Sequence, residues 1–346
     1  MTFRSVLIAN RGEIAIRIAR ACSELGLPAV TVFSEDDASS LHTRMADEAV
    51  ALTGSGVKAY LDGAQLIDIA KTHGCDAIHP GYGFLAENAG FARECEQAGL
   101  VFIGPSPEVL EGLGDKSAAR DLAENCKVPL IKGINKPVSL GEAQAFLREH
   151  GPLMLKAIAG GGGRGMRAVH AETELEQAFR RCQSEAQAAF GNGSLYIEQL
   201  IGRARHIEIQ VVGDGTGAVS HLWERDCSLQ RRNQKLIEIA PSPSLDASIR
   251  DAMIDCALRL ASSVNYRGLG TFEFLVDQDQ PGRFYFMEAN PRIQVEHTIT
   301  EEITGVDLVQ TQLQLLAGHS LADLGLESAP TVRGFAIQAR INTETL

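Results

Sequence analysis

At 346 residues, with 45% apolar content and a formal net charge of −12, the chain can build two or three packed units and has little to attract a nucleic-acid backbone. Its seven cysteines are scattered, odd in number and never in a C-x-x-C pair, which argues against a disulfide framework or zinc site and predicts a reducing, cytoplasmic setting. The N-terminus runs straight into a strand pattern without a targeting leader, and no stretch is long enough to span a bilayer, so neither nucleic acid nor membrane is expected as a partner.

Residues 6–10 read as a buried strand, Gly12 as its turn, and Ile14, Ile18, Ala21 and Leu25 as one face of a helix that stops at Gly26-Leu27-Pro28. Further strands are expected over 29–34, 76–79 and 101–104, with a helix over 87–98. This alternation predicts a doubly wound parallel sheet over residues 1–112. The first turn, Asn10-Arg11-Gly12-Glu13, lacks the spaced glycines that admit a dinucleotide.

A second unit, 113–202, begins with a linker helix over 116–125. It continues with a helix over 139–150, strands over 153–157 and 166–170 around a glycine loop, a helix over 172–190 and a strand over 195–199. A third unit, 203–346, reads as antiparallel, with strands over 207–212, 218–223, 270–276 and 284–289.

The glycine loop, Gly160-Gly161-Gly162-Gly163-Arg164-Gly165, is followed by a strand rather than a helix and lacks Gly-Lys-Ser/Thr, so it is neither a Rossmann nor a Walker loop. Its bare backbone N–H groups suit closure over polyphosphate oxygens, with Lys156 nearby. Glu273, between Phe272 and Phe274, and Glu288, between Met287 and Ala289, can point from adjacent strands to one site. With Asn290 they form an oxygen donor set for a hard cation. In Arg292-Ile293-Gln294-Val295-Glu296-His297 the arginine fork suits a small oxyanion, Glu296 is placed as a base, and His297 reads as a satisfied structural histidine. A salt bridge to a metal-site Glu is the alternative role for Arg292. Runs as dense in charge as Glu224 to Lys235 are mostly solvated faces, a reading kept here for Arg231 and Arg232, whereas Lys235 is expected beside the γ-phosphate and bicarbonate.

Taken in order, Asn10-Arg11-Gly12-Glu13-Ile14-Ala15, His79-Pro80-Gly81-Tyr82-Gly83-Phe84-Leu85, Gly114-Asp115-Lys116, the glycine loop, Glu224-Arg225-Asp226-Cys227-Ser228 and the Arg292 to His297 segment resemble the biotin carboxylase component of biotin-dependent carboxylases. The resemblance covers essentially the whole chain. It implies an ATP-grasp fold of α/β and α+β character: a doubly wound N-terminal domain, a small glycine-loop lid and a C-terminal antiparallel domain. That last domain is expected to be incomplete, because family members continue for about another hundred residues.

Position by position, the resemblance implies ATP contacts from Lys116, Lys156, Gly162, Gly163, Glu198, Gln199, Leu200, Ile201, His206, Gln230, Asn233, Glu273 and Glu288. Mg²⁺ or Mn²⁺ would lie on Glu273, Glu288 and Asn290. Bicarbonate would lie on Lys235, Arg292, Gln294 and Val295, with Glu296 as base, Arg340 on the biotin anion and Tyr82 near the biotin ring. The family commonly has His where this chain has Asn233. Implied partners are a biotin carboxyl carrier, a carboxyltransferase and, in a full-length chain, a second copy. The final acceptor, whether acetyl-CoA, a longer acyl-CoA, pyruvate or urea, is left open. Two rival readings are another bicarbonate-phosphorylating ligase of the carbamoyl-phosphate synthase kind and a nucleotide-binding module without turnover.

Overall fold

The computed structural model describes residues 3–159 and 165–341. The strands, in chain order, are β1 Val6–Ile8, β2 Ala29–Phe33, β3 Glu48–Ala51, β4 Ala77–His79 and β5 Val101–Phe102; β6 Gly133–Ile134, β7 Leu153–Ala157, β8 Met166–Val169 and β9 Leu195–Gln199; and β10 Ala204–Asp214, β11 Val219–Arg231, β12 Gln234–Ala240, β13 Arg267–Asp277, β14 Phe284–Asn290 and β15 Ala336–Ala339.

The first five form a parallel sheet in the order β3-β2-β1-β4-β5. Its central strands are apolar on both faces, as helices packing on each side require, and helix Gly12–Glu24 buries Ile14, Ile18, Ala21 and Cys22. Edge strand β3 escaped the sequence pattern because its four residues are exposed or half-buried and its one β-branched residue, Val50, sits between alanines without alternation. The first turn serves an internal purpose. Asn10 Nδ2 donates to the carbonyls of Pro80 at 2.7 Å and Tyr82 at 2.9 Å, which fixes the loop after β4 over the strand ends.

The second sheet, β6-β9-β7-β8, is antiparallel. Helices Leu140–His150 and Glu172–Phe190 cover it through Phe146, Leu147, Leu175 and Phe179. The third sheet runs β14-β13-β10-β11-β12-β15, antiparallel throughout. Strand alternation divides its residues. Ile207, Ile209, Phe272, Phe274 and Phe286 pack with Met253, Ala257 and Leu260 of helix Ala247–Ser263, and the intervening polar residues fall on the other face.

Three features of this sheet differ from the sequence expectation. The strand expected over 218–223 runs on to Arg231, because Arg225 and Asp226 are neutralised by Glu208 and Arg205 of the neighbouring strand rather than by water. Strands β12 and β15 and helix Ala247–Ser263 were not foreseen. Arg232 and Asn233 both have positive φ, 54° and 63°, and join β11 to β12 between the paired residues Arg231 and Gln234. A two-residue hairpin turn of this hand favours asparagine, which gives Asn233 a structural reason.

Gly81 has φ +64°, and a Cβ there would lie 2.9 Å from Asn10 Nδ2. Gly81→Ala is therefore expected to lower stability by about 1–3 kcal/mol, read from urea denaturation midpoints; an unchanged midpoint would show that the loop after β4 does not depend on this approach.

Candidate active site

Three adjacent strands place carboxylates in register. Glu273 of β13 is the direct partner of Glu288 on β14 and of Glu208 on β10, and Glu208 is the partner of Arg225 on β11. Directly opposed residues project to one face, and like charges in that position repel. The row therefore needs cations. Lys235, near the start of β12, supplies one: its ammonium donates to Glu208 Oε2 at 2.6 Å, Glu296 Oε1 at 2.8 Å and Glu273 Oε1 at 3.2 Å. Arg340, just past β15, spans the next two carboxylates, with Nε to Glu238 at 2.6 Å and Nη2 to Glu296 Oε2 at 2.9 Å.

Glu296 thus lies between an ammonium and a guanidinium, fully buried. It precedes helix His297–Thr304. Glu273 is also held by His206 Nε2 at 2.5 Å and by Asn290 Nδ2 at 2.7 Å. Gln230 Nε2 donates to His206 Nδ1 at 2.9 Å, which leaves Nε2–H of the ring for the carboxylate. Arg292 Nη1 donates to Gln294 Oε1 at 3.1 Å and Nη2 to Asn290 Oδ1 at 3.3 Å.

Burial pulls the Lys235 ammonium down, yet Glu208 and Glu273 outweigh it and raise the group well above its ordinary value. Burial likewise opposes ionisation of Glu273, but Lys235 and His206 hold its carboxyl well below the usual range. For Glu238 burial wins over Arg340 and the carboxyl is pushed up. Opposite charges at hydrogen-bonding distance in a desolvated site produce such shifts.

The structure brings together Lys235, Glu273, Asn290, Arg292, Gln294, Glu296 and Arg340, with His206 and Gln230 at one end. Glu288 shares the face through its register and is exposed. Val295 is half-buried between Gln294 and Glu296. Tyr82 donates its hydroxyl to Glu13, and Arg340 and Glu296 are among the charges acting on it.

Lys156 and Glu198 form an ion pair with each other, and Arg120 Nη1 donates to Glu198 at 2.8 Å. Gln199 ends β9, and Leu200 and Ile201 follow on the short connection to β10. Asn233 lies exposed at the β11–β12 turn. Lys116 opens helix Lys116–Asn125, and its side chain lies outside the described residues, as do Gly162 and Gly163.

Two expectations are corrected. Arg292 makes its ion pair with Glu87, Nε to Oε2 at 3.0 Å, rather than with a metal-site Glu, because Lys235 and His206 already saturate Glu273. The solvated-face reading agrees with the exposure of Arg231 and Arg232, whereas Glu224, Arg225, Asp226 and Cys227 of the same run are buried. His297 is half satisfied: its Nδ1 meets the Gln294 carbonyl at 2.8 Å while its buried Nε2 has no partner among the described residues.

Glu208, Arg225 and Glu238 escaped the sequence reading. The signal was present in Ile207-Glu208-Ile209-Gln210 and Ile237-Glu238-Ile239, where a charge alternates with β-branched residues; the first lies on a strand buried on both faces, and in the second the glutamate takes the buried face. A cavity of about 500 Å³ lined by Phe102, Asp214, Arg267, Leu316 and His319 shares no residue with the cluster. Glu273, Glu288 and Asn290 carry oxygen donors of the kind a hard divalent cation takes.

An antiparallel sheet carrying the carboxylate row, a small second antiparallel sheet and a parallel N-terminal sheet define an ATP-grasp protein. Residues 2–110 match the family described as biotin carboxylase, N-terminal domain, and residues 115–324 the family described as carbamoyl-phosphate synthase L chain, ATP binding domain. The biotin carboxylase domain of Hydrogenobacter thermophilus 2-oxoglutarate carboxylase, solved as a dimer with MgADP, ADP and bicarbonate, superposes with a TM-score of 0.93 at 44% identity, covering 99% of this chain and 76% of that one. Campylobacter jejuni biotin carboxylase gives 0.92 at 42% identity, covering 98% and 75%. Pyruvate carboxylase of Aspergillus niger is 53% identical over 99% of this chain and 29% of its own length. The chain belongs to the biotin carboxylase family, and it spans less than a third of the length of the pyruvate carboxylases it matches.

Removing the shared cation isolates its contribution. Lys235→Met leaves three buried carboxylates facing one another and is expected to cost roughly 3–5 kcal/mol. Carboxyls so exposed to one another titrate above their unfolded values, so their protonated forms favour folding; the deficit should shrink as pH falls from about 8 to about 5. A pH-independent deficit in urea titrations would contradict the electrostatic account.

Proposed function

We propose that the chain carries out the biotin carboxylase half-reaction, in which bicarbonate and MgATP carboxylate the ureido nitrogen of biotin. The observation that carries this reading is Glu296 clamped between Lys235 and Arg340, with Arg292 and Gln294 alongside. A buried carboxylate flanked by cations suits a base that must take a proton from an anion, because the cations bring the anion in. Arg292, Gln294, Lys235 and the Val295 backbone hold bicarbonate, and Glu296 removes its proton. A bicarbonate oxygen attacks the γ-phosphorus, ADP leaves, and carboxyphosphate forms.

Its breakdown releases CO₂ and phosphate; the phosphate takes the proton from biotin, and the ureido nitrogen adds to CO₂. Arg340 faces the oxyanion that this deprotonation creates, and Tyr82 lies toward the ring. Glu273, Glu288 and Asn290 would hold Mg²⁺ or Mn²⁺, whose charge offsets that of the polyphosphate. Lys116, Lys156, His206, Gln230, Asn233 and the 198–201 connection are assigned to the nucleotide, with Gly162 and Gly163 closing over it to exclude water.

The three sheets support a division into residues 1–112, 113–202 and 203–346. The reaction requires a biotin carrier protein or domain and a carboxyltransferase, and the dimeric relative supports a homodimer for the full-length protein. Seven unpaired cysteines support a cytoplasmic setting, and no described helix is long and apolar enough to cross a membrane.

The test is ADP release measured with and without bicarbonate and with free biotin. Biotin-stimulated, bicarbonate-dependent release is expected, and Glu296→Gln should lower it by about 10²–10⁴-fold while nucleotide binding persists. Bicarbonate-dependent release indifferent to biotin would favour a carbamoyl-phosphate synthase-like ligase, and tight ATP binding without release would favour a module without turnover.

A further inference from the structure

Arg225 is fully buried, and its side chain is among the largest in the molecule with no access to solvent. Its Nε donates to Glu208 Oε1, and its Nη1 to Gln210 Oε1 at 2.9 Å and Thr300 Oγ1 at 2.8 Å, while Nη2 has no partner among the described residues. The other oxygen of Glu208 accepts from Lys235 Nζ at 2.6 Å, and Lys235 in turn reaches Glu296 at 2.8 Å. The chain Arg225, Glu208, Lys235, Glu296 is thus continuous, and each carboxylate in it is shared between two cations.

We infer that Arg225 is a positioning residue for the bicarbonate site: by occupying one oxygen of Glu208 it leaves a single oxygen for Lys235 and so holds that ammonium against Glu296. This rests on the biotin carboxylase reading for its catalytic consequence, and on geometry alone for its structural one. Arg225 touches neither the proposed metal ligands nor the nucleotide-facing His206 and Gln230. Without it, Glu208 carries an unshared charge in a desolvated setting and turns both oxygens to Lys235, drawing it off Glu296. A purely structural arginine would instead affect every ligand equally once the fold loosened. Thr300 extends the device, because it anchors the fork from helix His297–Thr304, the element that directly follows Glu296.

The experiment compares wild type with Arg225→Met, Arg225→Lys and the gentler Thr300→Val. In biotin-stimulated ADP release, Arg225→Met is expected to raise KM for bicarbonate and lower kcat, by about 10²-fold or more in kcat/KM, with ATP affinity within about threefold of wild type. Arg225→Lys should recover part of the loss and Thr300→Val should show a smaller one. Bicarbonate kinetics within threefold of wild type in Arg225→Met, or equal losses for ATP and bicarbonate that Arg225→Lys does not relieve, overturn the inference. If Arg225→Met does not fold, Thr300→Val decides alone: kinetics identical to wild type overturn it.

A second readout does not need turnover. The ¹⁵N-detected ammonium signal of Lys235, assigned by its absence in Lys235→Met, should be protected from exchange in wild type and lose that protection in Arg225→Met and partly in Thr300→Val. An unchanged signal overturns the inference even if the chain releases no ADP, whereas a changed signal without ADP release upholds it and refutes only the assigned reaction.

Discussion

One ammonium ion surrounded by three carboxylates governs the third sheet. Glu208, Glu273 and Glu296 come from two strands and a loop far apart in sequence, and Lys235 is the group all three share. Desolvating any one of these charges alone would be prohibitive, whereas satisfying all of them requires hydrogen-bonding geometry on every side. The register of β10, β11, β12 and β13 is therefore constrained twice, by the apolar face beneath helix Ala247–Ser263 and by charge compensation on the opposite face. A slip of one residue would reverse both faces at once.

The same constraint joins the N-terminal sheet to the site. Glu87 reaches Arg292, and Tyr82 reaches Glu13 while sensing Arg340 and Glu296. Both contacts come from the segment that follows β4, the strand end where doubly wound sheets place their ligands. Asn10 and Gly81 settle that segment without glycine spacing of the dinucleotide type. The parallel sheet thus contributes the segment after β4 to the charged cluster that the antiparallel one carries.

Local periodicity made most of this fold legible. Helix Gly12–Glu24, the strands around the glycine loop and the paired Phe-Glu-Phe and Met-Glu-Ala segments all announced themselves through spacing. The ordered motifs supplied the family. Charge in the wrong context stayed hidden. Arg225 lies in a run dense in charge, and only the pairing of β10 with β11 reveals that its partner is Glu208. Arg292 found Glu87 across more than two hundred residues of chain, a contact that no local pattern encodes. Strand β3 lacks the alternation that marks a half-buried strand, because an edge position asks for little.

Arg340 reaches Glu296 from the end of β15, whose pairing with β12 also sets Lys235 and Glu238 beside it. Both cations on that carboxylate are therefore delivered by one ladder, and a change in its register would carry ammonium and guanidinium off Glu296 together.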